Sequence, residues 1–247
     1  MYYLKHRPCL CFFEAVVFNM RMTSIYKNYF KVRSKIRDAE LASGREPGSV
    51  KLLAVSKTQS ADKISALYQL GQRHFGESYL QEALKKQRQL GAYQITWHFI
   101  GPIQSNKTKS IAVCFNWVHS VDRFKIAKRL SEQRPAHLPP LNVCLQVNVS
   151  NEASKSGISI ADLPELVKQV EILPNLQLRG VMAIPSPQSE YDLQRKPYQM
   201  LNQAVEKLGR KEMTTFSYGM SGDLVAAIAE GATIVRVGTA LFGKRKY

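Results

Sequence analysis

The sequence predicts one α/β domain, a single (β/α)8 TIM barrel with an extra N-terminal helix. Short apolar runs alternate with helix-like stretches eight times, and strict alternation implies parallel strands joined by crossover helices. Eight such units within 247 residues, 45% of them hydrophobic, is the size of a closed barrel. A doubly wound open sheet is the structural alternative, and the lack of a GxGxxG after the first strand weakens its dinucleotide-binding form. Unit spacing is too uneven for a solenoid.

The first element is a helix. Ile25, Tyr29, Val32, Ile36 and Leu41 recur at roughly helical spacing, which predicts a helix over Thr23–Ser43 stopped by Gly44. Leu52–Val55 is a short buried-strand run, and Ala61–Leu70 is a helix closed by Gly71. His74–Gly76 is the second strand, followed by a helix over Tyr79–Leu90. Ile95–Ile100 and Lys107–Cys114 form the third pair, and Trp117–Val121 with Arg123–Gln133 the fourth. The loop Pro135–Pro140 leads into the strand Leu141–Val149 and the helix Ile160–Leu173. Leu176–Ile184 is the sixth strand, and a loop with Pro185 and Pro187 precedes a helix over about 198–209. Phe216–Met220 with Asp223–Ala229, then Ile234–Val237 with the closing segment Leu241–Arg245, complete the count.

Residues 1–21 differ from the rest of the chain. Lys5, His6 and Arg7 precede the apolar run Cys9–Phe18, which resembles a weak signal peptide broken by Glu14. The stretch is expected to be a disordered extension or a start assigned too early, with the barrel domain over 22–247. Cys9-x-Cys11 is a weak two-ligand metal signal, and no metal site is predicted. Four cysteines do not make a disulfide scaffold, and no apolar run reaches the roughly 18 residues a membrane helix needs. A reducing, cytoplasmic location and no membrane partner are the expectation. The formal net charge is +16, and nine Lys/Arg against four acids in the first 50 residues show that the excess is spread along the chain. Such a field attracts anions of many kinds, or merely sets solubility.

In such a barrel the chemistry gathers at the C-terminal ends of the strands. Lys57 directly follows the first strand and should sit over the mouth. Partial desolvation lowers a lysine's pKa and makes a neutral amine available to form a Schiff base with an aldehyde. The alternative is a lysine that snorkels to solvent or pairs with Glu77. The seventh and eighth strands end in Gly219-Met220-Ser221-Gly222-Asp223 and Gly238-Thr239-Ala240, small-residue turns in which backbone N–H groups can approach a phosphate. They are otherwise ordinary turn glycines with a Ser or Asp helix cap. A lysine and a phosphate cradle in one mouth suit a phosphorylated aldehyde, and pyridoxal 5′-phosphate (PLP) fits. Arg236 would then face the cofactor ring, where an arginine keeps the pyridine nitrogen unprotonated and weakens the electron sink. A salt bridge at the barrel rim is the other reading of Arg236.

Trp97-His98-Phe99-Ile100-Gly101-Pro102-Ile103-Gln104-Ser105-Asn106-Lys107 resembles the signature of the YggS/PROSC family of PLP homeostasis proteins. Leu53–Lys57, Ser154–Gly157, Gly180–Pro185, Gly219–Asp223 and Val235–Thr239 resemble its other blocks in the same order, and the likeness covers about residues 23–245. That family resembles the N-terminal barrel of alanine racemase. The resemblance implies a protein that binds PLP and serves vitamin B6 and amino-acid balance. It implies that Lys57 holds the cofactor as a Schiff base, that Ser221, Gly238 and Thr239 hold the phosphate, and that Arg236 sits at the ring nitrogen. Gly76-Glu77-Ser78 departs from the family's Gly-Glu-Asn, and the polar segment before the seventh strand is short. His98 lies within the signature and reads as structural before catalytic.

Racemisation needs an acid/base on each face of the cofactor, and alanine racemase takes one from a second domain for which a chain ending at Tyr247 leaves no room. The expectation is therefore a carrier that buffers PLP or hands it to apo PLP-dependent enzymes, with no robust catalysis. Lys155, on a loop near the mouth, is the candidate second amine for transimination. A weak amino-acid racemase is the first alternative. A nucleic-acid-binding protein ranks last, because the basic stretch Gln104–Pro135 lacks an aromatic platform. A monomer is expected.

Overall fold

The structure, a computed structural model, describes residues 10–150, 152 and 155–243, with side chains from Ser24 onward. Eight parallel strands close in sequence order: β1 (Lys51–Val55), β2 (His74–Glu77), β3 (Thr96–Phe99), β4 (Trp117–Val121), β5 (Leu141–Val147), β6 (Leu176–Ala183), β7 (Thr215–Ser217) and β8 (Ile234–Val237). The last strand returns to the first, with Leu53 opposite Arg236 and Ala54 opposite Val237. This is the (β/α)8 barrel the alternation predicts.

The helices are α1 (Leu10–Ala42), α2 (Ala61–Gln69), α3 (Leu80–Gln89), α4 (Thr108–Cys114), α5 (Phe124–Gln133), α6 (Leu163–Glu171), α7 (Tyr191–Glu206), α8 (Leu224–Ala229) and α9 (Thr239–Phe242). α1 is longer than the Thr23–Ser43 segment predicted, because no glycine or proline interrupts the chain between Cys9 and Ala42. The domain boundary expected after residue 21 falls inside it. Residues 1–9 lie outside the described residues, as does the side chain of Cys11, so the Cys9-x-Cys11 pair does too. Ile25, Tyr29, Val32, Ile36 and Ala39 form the buried stripe of α1, which packs on α8, α9 and α2. No helix among the described residues is long and apolar enough to cross a membrane.

α7 starts at Tyr191, well before the predicted position near 198, and carries Pro197 inside it. The proline removes one bond to the carbonyl of Leu193, which lies on the exposed first turns. Tyr198 is fully buried one residue later, and Arg195 and Gln199 both bond Glu230. These tertiary contacts hold the turn that the proline weakens.

Alternation along the strands divides the core in two. Leu52, Ala54, Phe75, Val143, Leu145, Val181 and Val235 face outward into the cluster shared with the helices. Each such buried aliphatic contributes roughly 1.5–3 kcal/mol. Their neighbours face into the barrel, and these include Leu53, Met182 and Ile234 but also His98, His119, Ser217 and Arg236, all buried. Barrel interiors are usually filled with branched aliphatic side chains. This one carries a polar column.

Candidate functional site

Five of the predicted site residues stand on, or in the segments directly after, three adjoining strands. Lys57 follows β1 and is half-buried. Arg236 is on β8, paired beside β1. Gly238 hugs the end of β1, where an added Cβ would sit 3.3 Å from the Val55 carbonyl oxygen. Thr239 opens α9 and is exposed. Ser221 lies in the turn after β7, which folds directly over β8 through Arg236 N–H donating to the Gly219 carbonyl at 2.9 Å.

That turn is held in shape. Gly219 has φ +89°, and a Cβ there would meet the Ala227 Cβ at 2.6 Å, so only glycine lets the turn fold back on α8. Asp223 accepts from the Met220 amide at 2.6 Å and from the Tyr198 hydroxyl at 2.6 Å. Its carboxylate makes no cap bond into α8 and instead braces the turn. Burial and the Asp223 carboxylate keep the Tyr198 hydroxyl protonated by pushing its pKa up.

Arg236 is buried below this turn. Its Nη1 donates to the Ser217 carbonyl and to Ser217 Oγ (3.1 Å), and Nη2 donates to the Ala183 carbonyl at 2.9 Å. The guanidinium therefore lies at the floor of the mouth, bonded to neutral oxygens, and not in a rim salt bridge. Burial lowers its pKa, opposed by Tyr198 and Asp223.

A hydrogen-bonded column continues through the barrel interior. His119 Nδ1 meets Ser217 Oγ at 2.7 Å, His119 Nε2 meets His98 Nδ1 at 2.9 Å, and His98 Nε2 meets His74 Nδ1 at 3.0 Å. Burial drives all three rings toward the neutral form. His119 falls to about 3, with the Arg236 charge adding to the effect, and His74 falls to about 4. His98 lies well below its ordinary range. The sequence assigns His98 a structural role but does not connect it to the other two. The available signal is a histidine at an inward position on three consecutive strands, β2, β3 and β4.

Lys155 is across the mouth. Its Nζ pairs with Glu152 at 2.9 Å and lies 3.4 Å from Ser186 Oγ. It lines a cavity of about 170 Å³ with Ile100, Pro102, Asn148 and Ile184, at the ends of β3, β5 and β6. The structure thus separates Lys155 from the five-residue cluster and puts it on the opposite rim.

Two residues that no sequence motif marks, Glu82 and Lys86, join Glu77 around the turn that carries Lys57. Glu77 Oε1 accepts from Ser56 Oγ at 2.6 Å and from Lys86 Nζ at 2.8 Å. Glu82 and Lys86, four apart on α3, have the spacing of a solvent-side ion pair, yet Lys86 is 4% exposed.

The residues present fit a phosphorylated aldehyde. A half-buried lysine overlooks the mouth, two small-residue turns present backbone amides beside it, and a buried donor-only cation forms the floor. The turns and the cation favour an anionic or electron-rich group, and a lysine amine favours an electrophilic carbon.

Comparison with known proteins identifies the family. The family model described as alanine racemase, N-terminal domain, matches residues 31–246. The pyridoxal phosphate homeostasis protein of Pseudomonas aeruginosa is 58% identical over 226 residues, covering 92% of this chain and 98% of its own. That of Escherichia coli K12 is 50% identical over 231 residues, covering 92% and 99%. Among solved structures, PipY of Synechococcus elongatus with PLP bound superposes with a TM-score of 0.74 at 36% identity, covering 84% of this chain and all of its own. Alanine racemase of Corynebacterium glutamicum shares the fold at 16% identity and a TM-score of 0.65. By the extent of these matches, the chain belongs to the alanine racemase N-terminal domain family, among the pyridoxal phosphate homeostasis proteins.

Proposed function

We propose that this protein binds PLP at the mouth of the barrel, holds it on Lys57, and buffers or supplies it within vitamin B6 homeostasis. The observation that carries this is the convergence of Lys57, Ser221, Arg236, Gly238 and Thr239 on β7, β8 and β1. When bound, the cofactor supplies an aldehyde carbon to which a neutral lysine nitrogen bonds with loss of water. Ser221, Gly238 and Thr239 would bind the phosphate; the Leu241 and Phe242 N–H groups of α9 are taken by the Gly238 carbonyl, and those of Thr239 and Ala240 precede the first helical bond. Arg236 orients the ring from below. A guanidinium donates only, so it leaves a ring nitrogen unprotonated and disfavours carbanion chemistry, which supports a carrier over a racemase.

Lys155, on the rim at the ends of β5 and β6, would supply the second amine for handing the aldehyde on. Apo PLP-dependent enzymes are the acceptors, met by a monomer in the reducing cytoplasm. The test is the visible spectrum of the protein with PLP, followed by borohydride reduction and peptide mapping. A visible band and a pyridoxyl group on Lys57 are expected. A colourless protein that takes no label would leave the family likeness as one of fold alone.

A further inference from the structure

Lys57 lies between two peptide groups that are each anchored from outside its own strand. The carbonyl before it, that of Ser56, accepts from Lys86 Nζ at 2.7 Å. The amide after it, that of Thr58, donates to Glu82 Oε1 at 2.6 Å. The two anchors are joined, because Lys86 Nζ also donates to Glu82 Oε1 at 2.5 Å and to Glu77 Oε1 at 2.8 Å. All three protons of the Lys86 ammonium are thereby used. With both flanking peptide planes fixed, the direction of the Lys57 side chain from its Cα is fixed too.

The turn needs such an anchor. Thr58 has φ +64°, the one non-glycine among the described residues with positive φ. A β-branched residue in that region costs of order 1–3 kcal/mol and persists only where its surroundings enforce it. Lys86 and Glu77 are nearly fully buried, and buried charges are costly unless paired. A strut that merely tied α3 to β2 would need only the Lys86–Glu77 pair. Here Lys86 also bonds the Ser56 carbonyl, and its partner Glu82 takes the Thr58 amide, one on either side of Lys57.

We infer that Glu82 and Lys86 are positioning residues that lock the Ser56–Thr58 turn and present the Lys57 amine to the mouth. The inference rests on the reading of Lys57 as the cofactor lysine. Its test separates capture from binding. The rate of PLP capture is followed by visible absorbance and confirmed by borohydride labelling. Affinity is measured with pyridoxine 5′-phosphate, which has the same phosphate and ring but no aldehyde. Glu82→Ala should slow capture roughly tenfold or more, since small misplacements of a reacting group are this costly. Its affinity for the alcohol should stay within about twofold of wild type, because the phosphate turns are untouched. Glu82→Gln, which keeps an oxygen for the Thr58 amide, should recover most of the rate. Lys86→Met should behave as Glu82→Ala if it folds, and the Glu82 pair carries the test if it does not.

Capture by Glu82→Ala at the wild-type rate overturns the inference. Equal losses of capture rate and alcohol affinity also overturn it, since they mark a general structural role. Wild-type protein that binds the alcohol but never labels Lys57 overturns the Lys57 reading, and this inference falls with it.

Discussion

His119 Nδ1 and Ser217 Oγ lie 2.7 Å apart in the barrel interior, and the same hydroxyl takes a hydrogen bond from Arg236. A serine has one proton to give and two lone pairs. With one lone pair on Arg236, its remaining capacity orients the first ring of a column that reaches His74 on β2. The floor of the mouth is therefore coupled through neutral groups across the barrel interior to β4, β3 and β2.

Ser217→Ala removes the shared hydroxyl and leaves the Arg236 contact to the Ser217 carbonyl. One lost bond to a charged group is worth roughly 1.5–3 kcal/mol. Part of that should appear as a shifted visible band of bound PLP and an affinity several-fold weaker, with labelling of Lys57 retained. An unchanged spectrum would show that Arg236 keeps its orientation without the column.

The histidines set the acid limit. Each folded-state pKa lies below the ordinary 6.5, so the unfolded chain binds more protons in between. Stability contributed by the neutral rings is complete above about pH 6.5 and is lost as pH falls toward 4 for His74 and 3 for His119. Each fully buried ring steepens the decline by roughly 1.4 kcal/mol per pH unit. Glu77 works the other way, its carboxyl being raised by burial, and offsets part of this only above its ordinary 4.5. Urea midpoints should drop steeply from pH 6.5 to 5 in wild type and less steeply in His119→Gln. A flat profile in wild type would refute the assignment.

Replacing Glu77 by Ala leaves the Lys86 ammonium without its fully buried counter-charge, with only the part-exposed Glu82 beside it. Breaking one side of a buried pair costs about 3–5 kcal/mol. Glu77→Gln keeps an oxygen for Ser56 and Lys86, and its amide group replaces Oε2, which is buried without a hydrogen-bond partner. The Gln variant should therefore be much closer to wild type in chemical denaturation. Equal losses in both variants would mean that the charge, and not the acceptor, is what Lys86 needs.

Lys155→Ala should leave capture at Lys57 intact, because the two lysines occupy opposite rims. Transfer of bound PLP to an apo-enzyme should slow several-fold. The comparison is made by following recovery of the acceptor's activity. Transfer at the wild-type rate would remove Lys155 from the delivery route.

Most strands are legible in the sequence because Leu52–Val55, Leu141–Val147 and Ile234–Val237 are apolar runs that have no other use. Lys57 is legible by position, since the residue after a barrel strand must sit at the mouth. The start of α7 is not, because Pro197 reads as a boundary until the buried Tyr198 and the bonds to Glu230 are known. The anchoring of Lys57 is hidden for a similar reason. Glu82 and Lys86 have the spacing of an exposed pair, and only the folded arrangement shows Lys86 buried against Glu77 of β2. The histidine column needs the register of three strands and the closure of the barrel, which no local pattern contains.

That closure also sets the order of events at synthesis. Lys57 emerges early from the ribosome, while Arg236, Gly238 and Thr239 belong to the last strand and its helix, and β8 must dock on β1 before they meet. On the proposed reading, a nascent chain therefore exposes the lysine long before it owns a cradle for the phosphate. Vitamin retention becomes a report on finished folding, and truncated chains that lack β8 should leave the cofactor pool untouched.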